Sequence, residues 1–494
     1  MILITAALIT SVFAKSAFEQ TASQLNSWIL RTFDWLFSLA GFTCVILVVI
    51  LMFSPISSIK IGGPKAVPLL SKWKWFSITL CTTVATGILF WGAAEPLFHL
   101  HDGPKGFNFE ANSPEAAKFA MSTMFMHWTI TPYSIYTLAA LLFALMYYNQ
   151  KRAENVSALL FPLFKKSSEG SVGTIMNILC LFALTAGMAA SLGSGILTIA
   201  GGLDKFTPLQ SSSILNIIVG LVIVLVFTIS AVSGLQKGIK ILSDFNIKLF
   251  ILLAFLVFIL GVPKDSLILG WHGFIDFIVN FIPRNLMLDN RIDAEWSRSW
   301  TTFYWANWIA WTPISAIFLG KIARGYTVRQ FIIFNLLLPS LFSAFWMIVF
   351  SGNAIHHSIS QPDLALYDSM SQGGAESVIY TLMELIPLGI YISFLFLIIT
   401  FLSYVTAADS NTTAMSGICH DAVDHDTIEN PISLKIIWGS IIGASAVIMI
   451  NYAGIDGIKM LSNIGGLPAL LLIIFICIGV IRILFNPKLA KYKD

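Results

Sequence analysis

Charge is what this sequence has least of. Only 11% of its 494 residues are Asp, Glu, Lys or Arg, where a water-soluble globular chain carries about 25%. Mean hydropathy is +0.81, and a soluble fold is excluded. Cysteine is scarce as well. Cys44, Cys81, Cys180, Cys419 and Cys477 lie in or beside apolar segments without CxxC spacing, so neither a disulfide framework nor a metal site is expected. HExxH, GxSxG and paired aspartates are missing. Glu95, His127, Glu384 and Asp409 are scattered, and no catalytic set can be assembled from them. An enzyme is not expected. The formal net charge is +3 with the basic residues in short loops, which leaves no surface for nucleic acid. No charge block, Gln/Asn tract or proline-rich linker divides the chain, so one integral membrane domain is the simplest organisation.

What the chain has in abundance is apolar runs of about 20 residues, the length that crosses a bilayer as helix. Twelve segments are predicted, near 1–14, 35–54, 73–96, 119–148, 172–201, 212–233, 246–262, 297–322, 329–352, 378–414, 433–452 and 463–484. Residues 1–14 would span only about 21 Å and lack the basic start of a signal peptide. They are read as a shortened first segment with residues missing upstream. Residues 271–286 have apolar positions at helical spacing and suit a helix lying in the interface, with 22–34 a weaker second candidate. Charge then orients the chain. With both termini cytoplasmic, 19 of the 29 Lys and Arg fall on the inner side, and the outer loop 353–376 has none.

Tryptophan is concentrated where lipid solubility does not call for it. Five of the 14 Trp fall between 296 and 311. Trp300, Tyr304, Trp308 and Trp311 share one helix face. Indoles deep in a membrane helix can form a cage for a cation, above all a quaternary ammonium that donates no hydrogen bond. An interfacial belt with core packing is the competing account, and it explains Trp296 and Trp300 well. Two segments, TTVATGILFWGAAEPLFHL (82–100) and LTAGMAASLGSGILTIAGGL (184–203), are rich in small residues that permit close helix approach or local unwinding.

Several stretches in order resemble the betaine/carnitine/choline transporter family over nearly the whole chain: WGAAEPLFH (91–99), MHWTITPYSIY (126–136), ASLGSGILTIAGGL (190–203), SGLQKGIKILSDFNI (233–247), SWTTFYWANWIAWTP (299–313), KIARGYTVRQFI (321–332) and SYVTAADS (403–410). The resemblance implies an all-α integral membrane protein with 12 transmembrane helices and a five-plus-five inverted-repeat core of LeuT type. Two N-terminal helices (1–72) would precede the first repeat (73–262). An interfacial helix and periplasmic loop (263–296), the second repeat (297–485) and a short tail (486–494) would follow. It implies a secondary active transporter in an inner-membrane setting, homotrimeric as relatives are, importing a quaternary-ammonium compound by alternating access. No cofactor is implied beyond a coupling ion.

Carried over residue by residue, the family's aromatic box falls on Trp128, Tyr133, Tyr136 and Trp308, with Trp311 at an adjoining inner position. Tyr133 replaces a usual Trp. Asn307 stands where relatives often have another Trp, and it adds an amide that can reach a carboxylate or hydroxyl. The stretch 83–87 carries no acid, and Glu95 is expected to be structural. This favours a zwitterion such as glycine betaine over choline. For the ion, Thr83, Val84, Thr86, Thr406 and Asp409 are the candidates. Ala186, Ala190 and Ala407 stand where sodium-dependent relatives have hydroxyls, so Na+ symport is narrowly preferred to H+ coupling or exchange. Asp409 and His127 are candidates for a proton path, with helix-packing hydrogen bonds the competing role. A transporter-like sensor without net transport is the alternative of another class.

Overall fold

The computed structural model describes residues 10, 13–84, 87–210, 212–232, 236–361, 366–419 and 432–493. Most of the expected segment 1–14 (1–9, 11 and 12) and Thr86 therefore lie outside the described residues, as do the side chains of Val84 and Asp409. Regular structure among the described residues is helical, apart from one isolated antiparallel bridge between Lys60 and Thr327. That is what hydrocarbon demands, since a helix satisfies its own backbone polar groups. Among the described residues six helices are each long and apolar enough to cross a membrane, and two bent pairs raise this to eight. The short apolar helix 213–229 and the tryptophan-rich helix 303–321 fall outside that criterion.

In chain order the main helices are α1 (Lys15–Phe53), α2 (Lys72–Val84), α3 (Gly87–His101), α4 (Pro114–Trp128), α5 (Ile130–Ala144), α6 (Ser171–Phe206), α7 (Ser213–Val232), α8 (Gln236–Leu260) and α9 (Pro263–Val279). There follow α10 (Phe303–Lys321), α11 (Leu338–Ser360), α12 (Ala375–Glu384), α13 (Gly389–Ile418) and α14 (Ile432–Phe485). The tryptophan-rich α10 packs centrally, against α5, α14 and α6.

Several boundaries differ from those expected, each for a local reason. Residues 22–34 are not a separate interfacial helix; they continue into α1, whose sequence has no Gly or Pro to interrupt it before Gly41. The tenth segment begins at 389 rather than 378. Pro387 has no backbone N–H to continue α12, and Leu388 takes φ +63°. The eleventh and twelfth segments join without a loop into α14, which is interrupted at Gly454 (φ +52°, ψ −131°), a conformation that only glycine adopts without strain. The fourth segment is two helices, for a reason that matters to the site below.

The helix expected over 271–286 is observed as α9, which begins at Pro263, ends at Val279 and turns by 106° from the helix before it. Small residues face inward, Gly270 against Ile348 and Gly273 against Met121. Trp271, Ile275, Ile278 and Val279 face outward, so an apolar face is turned away from the rest of the protein.

At one end of the bundle the basic loops converge. Asn149 is fully buried there and ties three segments together. Its Oδ1 accepts from Gly62 N–H at 2.7 Å, its amide donates to the Ala490 carbonyl at 2.7 Å, and its carbonyl accepts from Lys493 N–H at 2.9 Å. Gln150 adds a bond to the Lys491 carbonyl at 2.8 Å. Replacing Asn149 by Leu keeps the backbone bond to Lys493 but leaves the Gly62 N–H and the Ala490 carbonyl without their partner, at a cost of about 2–4 kcal/mol. The variant should melt lower in detergent and lose the tail faster to trypsin at Lys488 and Lys491; wild-type cleavage rates would show that Asn149 is not the tie.

Candidate functional site

The site begins with a broken helix. Pro132 has no N–H, and Thr129 takes φ −123° and ψ −107°, so the fourth segment stops at Trp128 and restarts at Ile130. In an unbroken helix the His127 carbonyl would accept from Thr131 N–H. Here it accepts from Trp308 Nε1 of α10, at 3.1 Å. The break therefore converts a lost helical bond into an anchor for a tryptophan. A five-residue π-turn, Arg298–Thr302, leads into α10 and sets the register of its rings.

Behind these rings sits Glu95, fully buried on α3. Its Oε1 faces His127 Nδ1 at 2.7 Å and His99 Nε2 at 3.2 Å; its Oε2 accepts from Trp128 Nε1 at 2.8 Å and from the Tyr304 hydroxyl. His127 is held from its other side by Thr301 Oγ1, at 3.1 Å from Nε2. Three helices and the turn before α10 are thus oriented by one carboxylate. Glu95, His99 and His127 bring their ligand atoms within 4.8 Å of one another, a grouping that can also be read as a metal site. The 2.7 Å separation argues against it, because two ligands of a tetrahedral zinc stand about 3.3 Å apart. These are hydrogen bonds.

The side of Trp128 turned away from Glu95 faces a cavity of about 60 Å³, room for a handful of waters. Gly87 allows the approach: a Cβ there would lie 2.9 Å from Trp128 Cη2. Trp308 occupies the centre of the aromatic group. Its ring lies 5.6 Å from Trp128 at 80° and 5.3 Å from Tyr136 at 67°, so the three form perpendicular walls rather than a stack. No acidic or basic side chain lines the cavity among the described residues.

Of the sequence-predicted residues, Trp128, Tyr136, Trp308, Trp311 and Asn307 line this one cavity. Asn307 accepts from the Ser462 hydroxyl at 3.0 Å. Trp311 also lines a second, smaller cavity with Tyr404 and Asn411. Tyr133 does not reach the cavity wall. It is buried behind Trp308, 5.9 Å away, with its hydroxyl 2.7 Å from that of Ser343. Thr83 lines the cavity and donates to the Thr79 carbonyl at 2.8 Å; Thr406 is buried on α13 beside cavity-lining Ala407 and donates to the Leu402 carbonyl at 2.8 Å.

The single aromatic face expected on α10 divides by task. Trp300 packs edge-on against Trp91 and His99, Tyr304 serves Glu95, and Trp308 and Trp311 face the cavity. Trp296 and Trp300 are buried, at 7% and 6% exposure, and are not an interfacial belt. Sequence reasoning missed that Glu95 orients the rings. The signal was present, because Trp91, Glu95 and His99 follow i, i+4, i+8 on one helix face. It also missed Ser462 and Ile458 of α14, for which adjacency in sequence gives no cue. Glu95→Gln supplies an N–H2 where a donor already points, and should lower the melting temperature in detergent by several degrees. Unchanged melting would mean that the four contacts carry no net stability.

Comparison with known proteins agrees with this architecture. The pattern of the betaine/carnitine/choline family transporters (BCCT) matches residues 1–488. The chain is 29% identical over 470 residues to the glycine betaine transporter OpuD of Bacillus subtilis (strain 168), covering 94% of this chain and 89% of that one. It is 30% identical over 480 residues to the ectoine/hydroxyectoine transporter of Virgibacillus pantothenticus, covering 97% and 93%. It is 27% identical over 469 residues to the high-affinity choline transport protein of Escherichia coli (strain K12), covering 94% and 68%. A solved Na+-coupled sialic acid symporter in a substrate-bound outward-open state shares the fold, with a TM-score of 0.51, 14% identity and coverage of 91% and 85%. The chain is a membrane transporter, not an enzyme, and it belongs to the betaine/carnitine/choline transporter family.

Proposed function

We propose that this transporter imports a zwitterionic quaternary-ammonium compound, glycine betaine or one similar to it, by ion-coupled alternating access. The observation that carries the reading is the group of perpendicular ring faces of Trp128, Tyr136 and Trp308 around a cavity without an acidic side chain. A trimethylammonium group held in that corner meets three π faces, each contributing about 0.5–2 kcal/mol. Free choline would gain from a nearby carboxylate. The nearest one, Glu95, is turned away and engaged by four donors, whereas a betaine brings its own negative charge. Tyr133 backs Trp308 in this account, and Trp311 serves the inner path.

Na+ is the preferred coupling ion, with H+ coupling or exchange as the second reading. The Thr83 hydroxyl spends its hydrogen on the Thr79 carbonyl, which leaves oxygen lone pairs for a hard cation, and Thr406 stands beside cavity-lining Ala407. Ala190 and Ala407 present only methyls to the cavity, and this keeps the second reading open. Both ring nitrogens of buried His127 are engaged, which argues against it as a proton carrier. The gathering of basic loops around the C-terminal tail supports a cytoplasmic side for that end, in an inner membrane. A homotrimer, by family likeness, belongs to the same reading.

Purified protein in proteoliposomes should accumulate radiolabelled glycine betaine, and Trp308→Leu should reduce uptake at least tenfold. Retained affinity in that variant would remove the aromatic corner from the account. Replacing Na+ by K+ at external pH 6 and 8 should abolish uptake at both values. Uptake that survives and rises at the lower pH would assign proton coupling instead. Binding without any uptake would identify a sensor.

A further inference from the structure

A cation already sits on the aromatic surface beside the cavity, and it belongs to the protein. Lys459 of α14 lies between the Gly454 interruption and Ser462, and its neighbour Ile458 lines the cavity together with Ser462. The Lys459 Nζ is 3.7 Å from the Trp300 ring centroid, 5.5 Å from that of Phe303 and 5.7 Å from that of Trp91. Trp91 and Phe303 are themselves cavity walls, so the ammonium, which does not line the cavity, stands at its rim beside the same rings. Its hydrogen-bond acceptor among the described residues is the Ser299 carbonyl, at 3.4 Å. The acids that face it are Asp456, exposed on the same helix, and Glu95, which four donors already occupy. Neither closes an ion pair with it.

We infer that Lys459 is a specificity-determining residue, a tethered cation at the cavity rim that recognises a substrate carboxylate and disfavours substrates carrying positive charge alone. This rests on the reading that the cavity takes a quaternary-ammonium compound. The cavity itself offers a carboxylate no charged partner; the polar groups between the box and the rim are Ser462 and Asn307, which are bonded to each other. With a trimethylammonium group on Trp308, a carboxylate directed along Ser462 points toward Lys459, one turn away on the same helix. The lysine stem is flexible, and its ammonium can leave the Trp300 face to meet it. A purely cationic substrate meets the same ammonium as repulsion alone.

The test compares Lys459→Met, which keeps the stem's bulk and removes the charge, with Lys459→Arg. Each purified protein is titrated with glycine betaine and with choline, following tryptophan fluorescence, after confirming equal melting temperatures. The wild type should favour glycine betaine. Lys459→Met should shrink the betaine-to-choline affinity ratio about tenfold, the scale of one partly screened unit-charge interaction, and Lys459→Arg should restore it. An unchanged ratio in Lys459→Met, with both ligands still binding, overturns the inference. If the wild type binds neither ligand, the quaternary-ammonium reading has failed, and quenching by iodide against caesium decides the rim on its own. A charged rim makes iodide the better quencher in the wild type and loses that advantage in Lys459→Met; equal ratios in the two proteins overturn the inference as well.

Discussion

Everything at the centre of this protein leans on one buried carboxylate. Glu95 gathers donors from α4, from α10 and from its own helix. A carboxylate in such a place is tolerable only while its oxygens are fully paired, because an unpaired buried charge costs far more than a lost hydrogen bond. The same requirement makes it a positioning device. Trp128 cannot rotate without releasing Oε2, and Tyr304 on α10 shares that oxygen. His127, held between Glu95 and Thr301, offers its freed carbonyl to Trp308. Two rings of the aromatic corner are thereby fixed by their nitrogen atoms, and their π faces remain free toward the cavity.

Helix interruptions supply the rest of the geometry. The break at Thr129 and Pro132 frees the carbonyl that Trp308 uses, and the π-turn before α10 brings Thr301 to His127. At Gly454 the same device acts on α14, five residues before Lys459. Irregular backbone is costly in lipid and persists only where protein surrounds it or a cavity lies beside it. All three interruptions fall next to residues that line the cavity or hold its walls.

How much of this was legible in the sequence depended on whether the signal was local. The all-helical membrane fold followed from apolar runs, and the helical spacing in 271–286 marked the second half of α9. The box residues on α4, α5 and α10 came from motif likeness, and all but Tyr133 line the cavity. Tyr133 stands back from the wall because its hydroxyl is drawn to Ser343 on α11, a partner 210 residues away. The joining of the last two segments was missed because one reversed residue, Gly454, suffices to redirect a helix that then continues. Pro132 was a visible break signal inside the fourth segment, and a continuous helix drawn through it hid the anchor for Trp308. Ser462, Ile458 and Lys459 were out of reach of any local pattern, since they meet α3 and α10 only through the folding of α14.

The central claim is that Glu95 acts on ligand recognition through the rings it orients, without touching the cavity itself. Calorimetric titration of glycine betaine into detergent-purified wild-type and Glu95→Gln protein, below the melting temperature of both, tests this most directly. A folded Glu95→Gln protein, with unchanged helical circular dichroism, should bind at least tenfold more weakly. Wild-type affinity in that folded variant would contradict the account.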